Sequence, residues 1–513
     1  MGTDPGALSG ATIALSLSQQ EVWLDQAAWP GSGHLMIGGG GFLHGPLDLE
    51  LCREALRKLV ELHDGLRLAP LAQGGQLLLE PFEPALPLVD VAPGVEPLRA
   101  MQGWWQDHVG RPFVLAGQPP WRFAVLRCHD ALHGLVMQFH HTVMDGWGVS
   151  QVMRQWSELY NLMQAGEPLP APPAAGYAVF VEESRAYASS DAFARDAAYW
   201  KGQVAQLPAA LLERRAGAIR GTELPFAQTW VQPLERAAYA MLREQATRQE
   251  RTVFGLFLAA LALYFARVAN RSSVAIGVPT LNRGGKRYLH TPGMFVGVLV
   301  LQLPVSPLQT VASLVADAAT AMRGALRHPR YPLSALGRQL DMVRSGRDGL
   351  FDVLLSFEQQ DYGVHFGDAV RVDSRQFFSG LARYPLGVTV CEFHDSHDPE
   401  LVLEGSAEYF VEGEVALLAQ RIWHIARFLA ANPDVLVEDV PLLPIEEWHA
   451  LIEAPAASVV WHEQPETFVT AFERHAVASP QAMALVWDGG SWDYATLHGR
   501  ANQLAHRLAA LGA

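Results

Sequence analysis

The chain has 513 residues, 50% of them hydrophobic and 18% charged, with a net charge of −15. That composition fills sizeable cores, corresponds to roughly two to four domains and excludes a disordered chain. The acidic balance and the absence of any Lys/Arg run exclude a nucleic-acid footprint or a basic membrane patch, and three scattered cysteines, Cys52, Cys128 and Cys391, offer no disulfide framework or zinc site and fit a reducing cytoplasm.

The opening MGTDPGALSGATIALSLSQQ lacks the basic and long apolar regions of a secretory signal, and Gly6 stands where myristoylation requires Ser or Thr. From Ser16, SLSQQEVWLDQAA predicts a helix capped by Ser18, with Glu21 at capping-box spacing. HLMIGGGGFLHG predicts a strand with four glycines, Gly38 to Gly41. Leu51, Ala55, Leu56, Leu59 and Leu62 then recur at helical spacing behind Pro46 and Asp48. WRFAVLRCHDALHGLVMQFHH predicts two strands around a short polar turn. Val149, Val152, Met153, Trp156, Leu159, Tyr160 and Met163 predict a helix behind Gly146 and Gly148.

AGEPLPAPPAAG, 165–176, is a Pro/Gly/Ala connector and the first boundary. Beyond it, SVAIGVPT, GMFVGVLVLQLPV, FDVLLSF and LGVTVCEF read as strands. TVFGLFLAALALYFA, Thr252 to Ala266, is shorter than the roughly 20 residues of a spanning helix, so a buried core helix is predicted. A further helix ends near Asn432-Pro433, and LLPIEEWHALIEAPAASVVWHEQPE reads as a linker. Helices and strands intermix with only some hairpins, which predicts a mixed α/β (α+β) fold with partly antiparallel sheets.

The chemistry concentrates in FHHTVMDGWG, Phe139 to Gly148. Strand alternation puts His141 on one face with Phe139, Met137 and Leu135, and His140 on the other with Gln138 and Val136. Two opposed imidazoles cannot ligate one metal from a regular strand, and the spacing is not that of a helical H-E-x-x-H site; no metal is expected. Asp145 and Gly146 follow at the turn. Taken alone, the pattern fits either an ordinary strand–loop–helix junction with a buried polar pair or a reactive imidazole at a strand end.

HHTVMDG resembles the signature of condensation domains of nonribosomal peptide synthetases, within the chloramphenicol-acetyltransferase-like superfamily. LSLSQQEVWLDQ, LVELHDGLRL, GYAVFVEESRAY with AYWKGQVAQLP, AIGVPTLNR, PGMFVGVLVLQL and HPRYPLSAL resemble further family motifs in the same order, over about residues 12–445. The tail from Phe468 is similar to the opening of an adenylation domain, with Trp492-Asp493-Tyr494, Leu497 and Arg500-Ala501-Asn502 matching. The implied organisation is an N-terminal lobe at 1–175, a C-terminal lobe at 176–445, a linker at 446–467 and an adenylation fragment at 468–513. The sequence departs from the family at Leu62 and Asp64, for the Arg and Glu of R-H-E, and at Gly297, for the Asn of G-x-F-V-N-T.

The resemblance implies two chloramphenicol-acetyltransferase-like lobes forming a V around a tunnel, where a thioester and a carrier-bound amine meet at His141. It implies His141 as positioner and general base, Gly146 as an N–H donor to the oxyanion, and His140, Asp145 and Arg283 as structural supports, Asp145 paired with Arg283. Gly40, Trp147, Gly297 and Ser356 are expected along the tunnel; open volume or β-bulges both account for the glycines. No cofactor is expected to be bound, the substrates being carried on coenzyme A or phosphopantetheine. The expected partners are acyl-CoA or an acyl carrier protein as donor, a downstream peptidyl carrier bearing the acceptor, and the remainder of the adenylation domain; no nucleic acid and no membrane are expected, and a cytoplasmic location is. Because the motifs begin at Leu15, and because VMDGWGVSQV and FDVLLSFEQQDYG resemble starter-type sequences, a starter condensation domain is expected. An elongating condensation domain and a non-catalytic recruitment module are the alternatives.

Overall fold

Period-two patterning around the paired histidines produces a hairpin, Trp121–His129 and Leu132–His140, whose second strand pairs antiparallel with the glycine strand Met36–His44. The computed structural model describes residues 10–216, 223–339, 349–360, 362–367, 371–393, 398–453 and 467–512. These strands belong to a five-stranded sheet ordered Arg371–Gln376, Met36–His44, Leu132–His140, Trp121–His129, Leu88–Asp90. Leu135, Met137 and Phe139 enter a core where Phe123 meets Phe139 and Trp156 edge-on, centroids 5.5 Å apart. Val136 enters a smaller core with Met101 and Trp105.

A six-stranded mixed sheet runs Gly297–Pro304, Ser273–Thr280, Val353–Gln359, Leu386–Glu392, Glu400–Ser406, Ala227–Pro233. Its Val353, Leu355, Val388, Val390, Leu401 and Leu403 pack against the helices Val253–Val268 and Glu414–Ala431. The intervening Leu354, Ser356, Glu358, Thr389 and Glu404 face a cavity instead. Val253–Val268 is the buried core helix that its apolar sequence predicts. Among the described residues no single helix is long and apolar enough to cross a membrane.

Arg371–Gln376 joins the first sheet by pairing with the glycine strand, Arg375 opposite Gly40 and Gln376 opposite Gly39, so both halves of the chain build that sheet. Glycine is required here. Gly38 has φ +140°, and a Cβ there would lie 2.1 Å from Met137 O; a Cβ at Gly39 would lie 2.2 Å from Arg375 O. A side chain at either position forces the strands apart.

Several local expectations are corrected. The first helix, Leu17–Ala28, is capped by Ser16, not Ser18, and its capping-box partner is Gln19, not Glu21. Ser18 Oγ instead donates to Phe295 O at 2.8 Å, and Glu21 receives the Ser334 N–H at 2.8 Å. The strand read from Gly293 begins at Gly297, and the helix read from Val149 begins at Gly146. The stretch read as linker starts with a helix, Ile445–Glu453, while 454–466 lies outside the described residues, as do the leader residues 1–9. The chain divides into two units, Met1–Pro444 and Ile445–Ala513. The second contains Ile445–Glu453, Phe468–Ala478, the hairpin Met483–Trp487/Gly490–Asp493, and the helix Tyr494–Ala510 capped by Asp493.

Candidate active site

The histidine strand ends at His140, and the chain turns at His141, whose N–H donates to Leu35 O at 2.8 Å. The imidazoles have different surroundings. His140 is buried, its Nδ1 2.8 Å from Thr142 Oγ1 and its Nε2 2.8 Å from Gln26 Oε1. Burial, reinforced by the neighbouring His141, pushes its pKa down to about 3, so this is a neutral ring with both nitrogens occupied.

His141 is half-buried and lines three cavities. Its Nδ1 is sealed and has no well-formed hydrogen bond among the described residues, which leaves Nε2 as the nitrogen available to a reactant. Burial first, then the Arg383 cation, hold its pKa below the usual imidazole value, against the opposing pull of Asp145. The ring is therefore a neutral base at neutral pH.

Asp145 lines none of these cavities and is fully buried. Its Oδ1 accepts from Gly148 N at 2.7 Å, capping the helix Gly146–Ala165, and from Arg283 Nη2 at 2.6 Å; its Oδ2 accepts from Phe295 N at 2.9 Å. Arg283 also donates to Tyr288 O and Thr291 O, at 3.0 and 2.6 Å, and its guanidinium carbon lies 4.2 Å from the Phe295 ring centroid. The pair thus ties the helix start to the segment that crosses beneath it.

Gly146 opens the helix and lines two of the cavities. A Cβ added there would lie 3.6 Å from both Glu358 Oε2 and Gln360 Nε2. On one side of His141, Gly40 lines a cavity of about 130 Å³ with Ile37, Met137, Val149 and Met153. On another, Trp147, Gly297 and Ser356 line one of about 350 Å³, and Trp147 Nε1 donates to Leu289 O at 2.7 Å. Among the described residues no group of three or more His, Cys, Asp or Glu side chains could hold a metal ion. The geometry brings His141 and Gly146 together on the walls of two cavities, with His140, Asp145 and Arg283 lining neither.

Residues 10–452 match the family model described as "Condensation domain". The chain belongs to the condensation-domain family of nonribosomal peptide synthetases. A plipastatin synthase of Bacillus subtilis (strain 168) is 25% identical over 515 residues, covering 98% of this chain and 20% of that protein. Bacitracin synthase 3 of Bacillus licheniformis is 25% identical over 510 residues, covering 98% and 8%. The chain therefore spans a fifth or less of these curated relatives. Among solved structures, a mutant starter condensation domain of rhizomide synthetase RzmA in complex with C8-CoA superposes with TM-score 0.74 at 25% identity, over 84% of this chain and 98% of that one. The first condensation domain of the calcium-dependent antibiotic synthetase, in complex with a substrate analogue, has the same fold, with TM-score 0.73 at 24% identity over 85% and 99%.

Within this condensation domain one departure from the family pattern, Asp64, has a local explanation. Asp64 accepts from the Tyr177 and Ala178 amides at 2.7 and 2.9 Å, capping the helix Tyr177–Ala188, whose N-cap residue Gly176 has no side chain to do so. Sequence reasoning missed four charged residues around the condensation site. Glu358, Glu404 and Arg383 line the large cavity, and Arg383 Nε pairs with Asp25 Oδ2 at 2.5 Å. Glu358 was findable: it shares strand parity with Ser356.

Proposed function

We propose that this condensation domain is of the starter type: it acylates the amine of a carrier-bound aminoacyl thioester with an acyl group delivered on coenzyme A or an acyl carrier. The observation that carries the reading is that His141 lines both a cavity of about 130 Å³, walled in part by Ile37, Met137, Val149 and Met153, and a larger one of about 350 Å³. The likeness to a starter domain bound to C8-CoA supports it. The matches to synthetases over 98% of the chain support reading the tail as the start of an adenylation domain and a peptidyl carrier as partner.

An α-amine titrates near pH 8, so about a tenth is already nucleophilic at pH 7. Holding both tethered reactants together is worth about 7–11 kcal/mol; a positioned base adds about 10²–10⁴-fold. His141 takes the proton from the nitrogen after attack and passes it to the departing sulfur, Gly146 N–H at the free helix terminus faces the oxyanion, and Asp145, Arg283 and His140 hold the frame. The test is incubation of the full chain with an acyl-CoA series and an aminoacyl carrier, read by mass spectrometry. Wild type forms N-acyl product, and folded His141→Ala loses about 10²–10⁴-fold. No product from any acyl thioester, offered on coenzyme A or on an acyl carrier, rejects the starter reading; wild-type turnover by His141→Ala rejects the role of the ring.

A further inference from the structure

We propose that Glu358 is the carboxylate that receives the α-ammonium of the acceptor and takes its first proton, with Glu404 as a second anion behind it. The proposal rests on the amide-forming reading above. Glu358 stands in the strand Val353–Gln359 and lines two of the three cavities that His141 lines. Its Oε2 is 3.6 Å from where a Cβ on Gly146 would be, which puts the carboxylate against the start of the Gly146–Ala165 helix. A helix start favours an anion. Ser356 and Gln360 hydrogen-bond the carboxylate, and no cation among the described residues acts on it.

The charged and titratable groups around it make a foreign cation welcome. Asp145 faces it from the helix cap, Cys391 from the adjacent strand, Tyr362 from the following loop and Glu404 from the third strand. Glu404 crosses to the shared cavity over Gly387, which has no side chain. Three arginines line these cavities and none acts on Glu358: Arg383 is held by Asp25, Arg330 donates to Glu183 O at 3.0 Å and Arg375 to Ser374 O at 3.1 Å, while His141 is neutral. Burial pushes both glutamates up to about 7, Glu404 further raised by Glu358. Two carboxyl groups without an internal counter-ion, in a cavity open to a substrate, are held partly protonated, and an arriving cation favours their anionic form.

The proton balance closes. The ammonium gives one proton to Glu358, leaving a neutral amine. The amine attacks the thioester carbon; the C–N bond forms and the C–S bond breaks. The second nitrogen proton moves through His141 to the thiolate, and the proton on Glu358 returns to solvent.

The test is equilibrium binding of two unreactive probes by the full chain: alanyl-aminopantetheine, whose amide nitrogen replaces the thioester sulfur, and its propionyl isostere, which lacks the amine. Wild type prefers the alanyl probe by about tenfold, the worth of one charge-assisted hydrogen bond. The preference fades as pH falls through about 7, because protonation removes the carboxylate charge. Glu358→Gln, which preserves shape and folds with an unchanged or raised melting temperature, abolishes the preference; Glu358→Asp restores part of it. A folded Glu358→Gln protein that keeps the wild-type preference overturns the assignment even where amide forms normally. If wild type forms no amide but shows the preference and Glu358→Gln loses it, the ammonium site stands and the reaction reading falls.

Discussion

Replacing Asp145 by Ala removes three interactions at once, and their sizes can be set from the structure. The Gly148 amide loses its cap, worth about 1 kcal/mol. Arg283 keeps its carbonyl partners but becomes a buried cation without its anion, a loss of about 3–5 kcal/mol. The buried Phe295 amide loses its acceptor, about 1–3 kcal/mol more, and the sum of about 5–9 kcal/mol corresponds to a rise of roughly 10⁴–10⁶-fold in local opening. Hydrogen exchange at the Gly148 and Phe295 amides reads that opening directly, without requiring the whole chain to unfold in one step. Asp145→Asn retains a capping oxygen and loses mainly the ion pair. Asp145→Asn with Arg283→Met removes both charges, and its cost falls well below the sum of the two singles. Additive singles, with coupling under about 0.5 kcal/mol, would refute the idea that this pair is one unit. Folded Asp145→Asn should turn over in proportion to its folded fraction.

Acid stability should report His140. Its folded pKa of about 3 lies below the ordinary imidazole value, so the unfolded chain binds the proton first. Its contribution is present above pH about 6.5 and is lost as pH falls toward 3, at up to about 1.4 kcal/mol per pH unit; urea midpoints of His140→Gln should show a shallower acid decline. Gly39→Ala should displace Arg371–Gln376 from the glycine strand, because the new methyl meets Arg375 O at 2.2 Å. Amide exchange in 371–376 should quicken, whereas unchanged protection would contradict the close-approach account.

The alternation of FHHTVMDGWG separates the two histidines because a strand's faces are set by parity alone, and the structure gives His140 hydrogen-bond partners on both ring nitrogens and His141 three cavities. Apolar runs such as Val253–Val268 were equally legible, since burial on all sides leaves one composition. The cap of the first helix was not. Ser16 and Ser18 are both competent, and the choice falls to Ser16 because Gln19 is wired to Gln76 and to Thr142 O, partners far away in the chain. Arg383 was invisible for the same reason: its meaning comes from Asp25, which lies 358 positions earlier.

Three carboxylates near the site show how surroundings divide labour. Asp145 meets three donors, one of them a cation, and faces no cavity; its lone pairs are committed to architecture. Asp25 would be pushed up by burial, yet Arg383 and His34 outweigh that and hold it below the usual carboxylate value, so it stays an anion that fixes Arg383. Glu358 has only neutral hydrogen-bond partners and an open cavity in front of it. A carboxylate saturated by internal cations cannot greet an incoming ammonium, whereas one held by a hydroxyl and an amide can. Arg383 adds the complement: burial first and then its charge keep His141 neutral, so the imidazole is free to accept a proton when the nitrogen releases its second one. Anion and neutral base at one meeting point can thus serve successive protons of the same amine without competing for either.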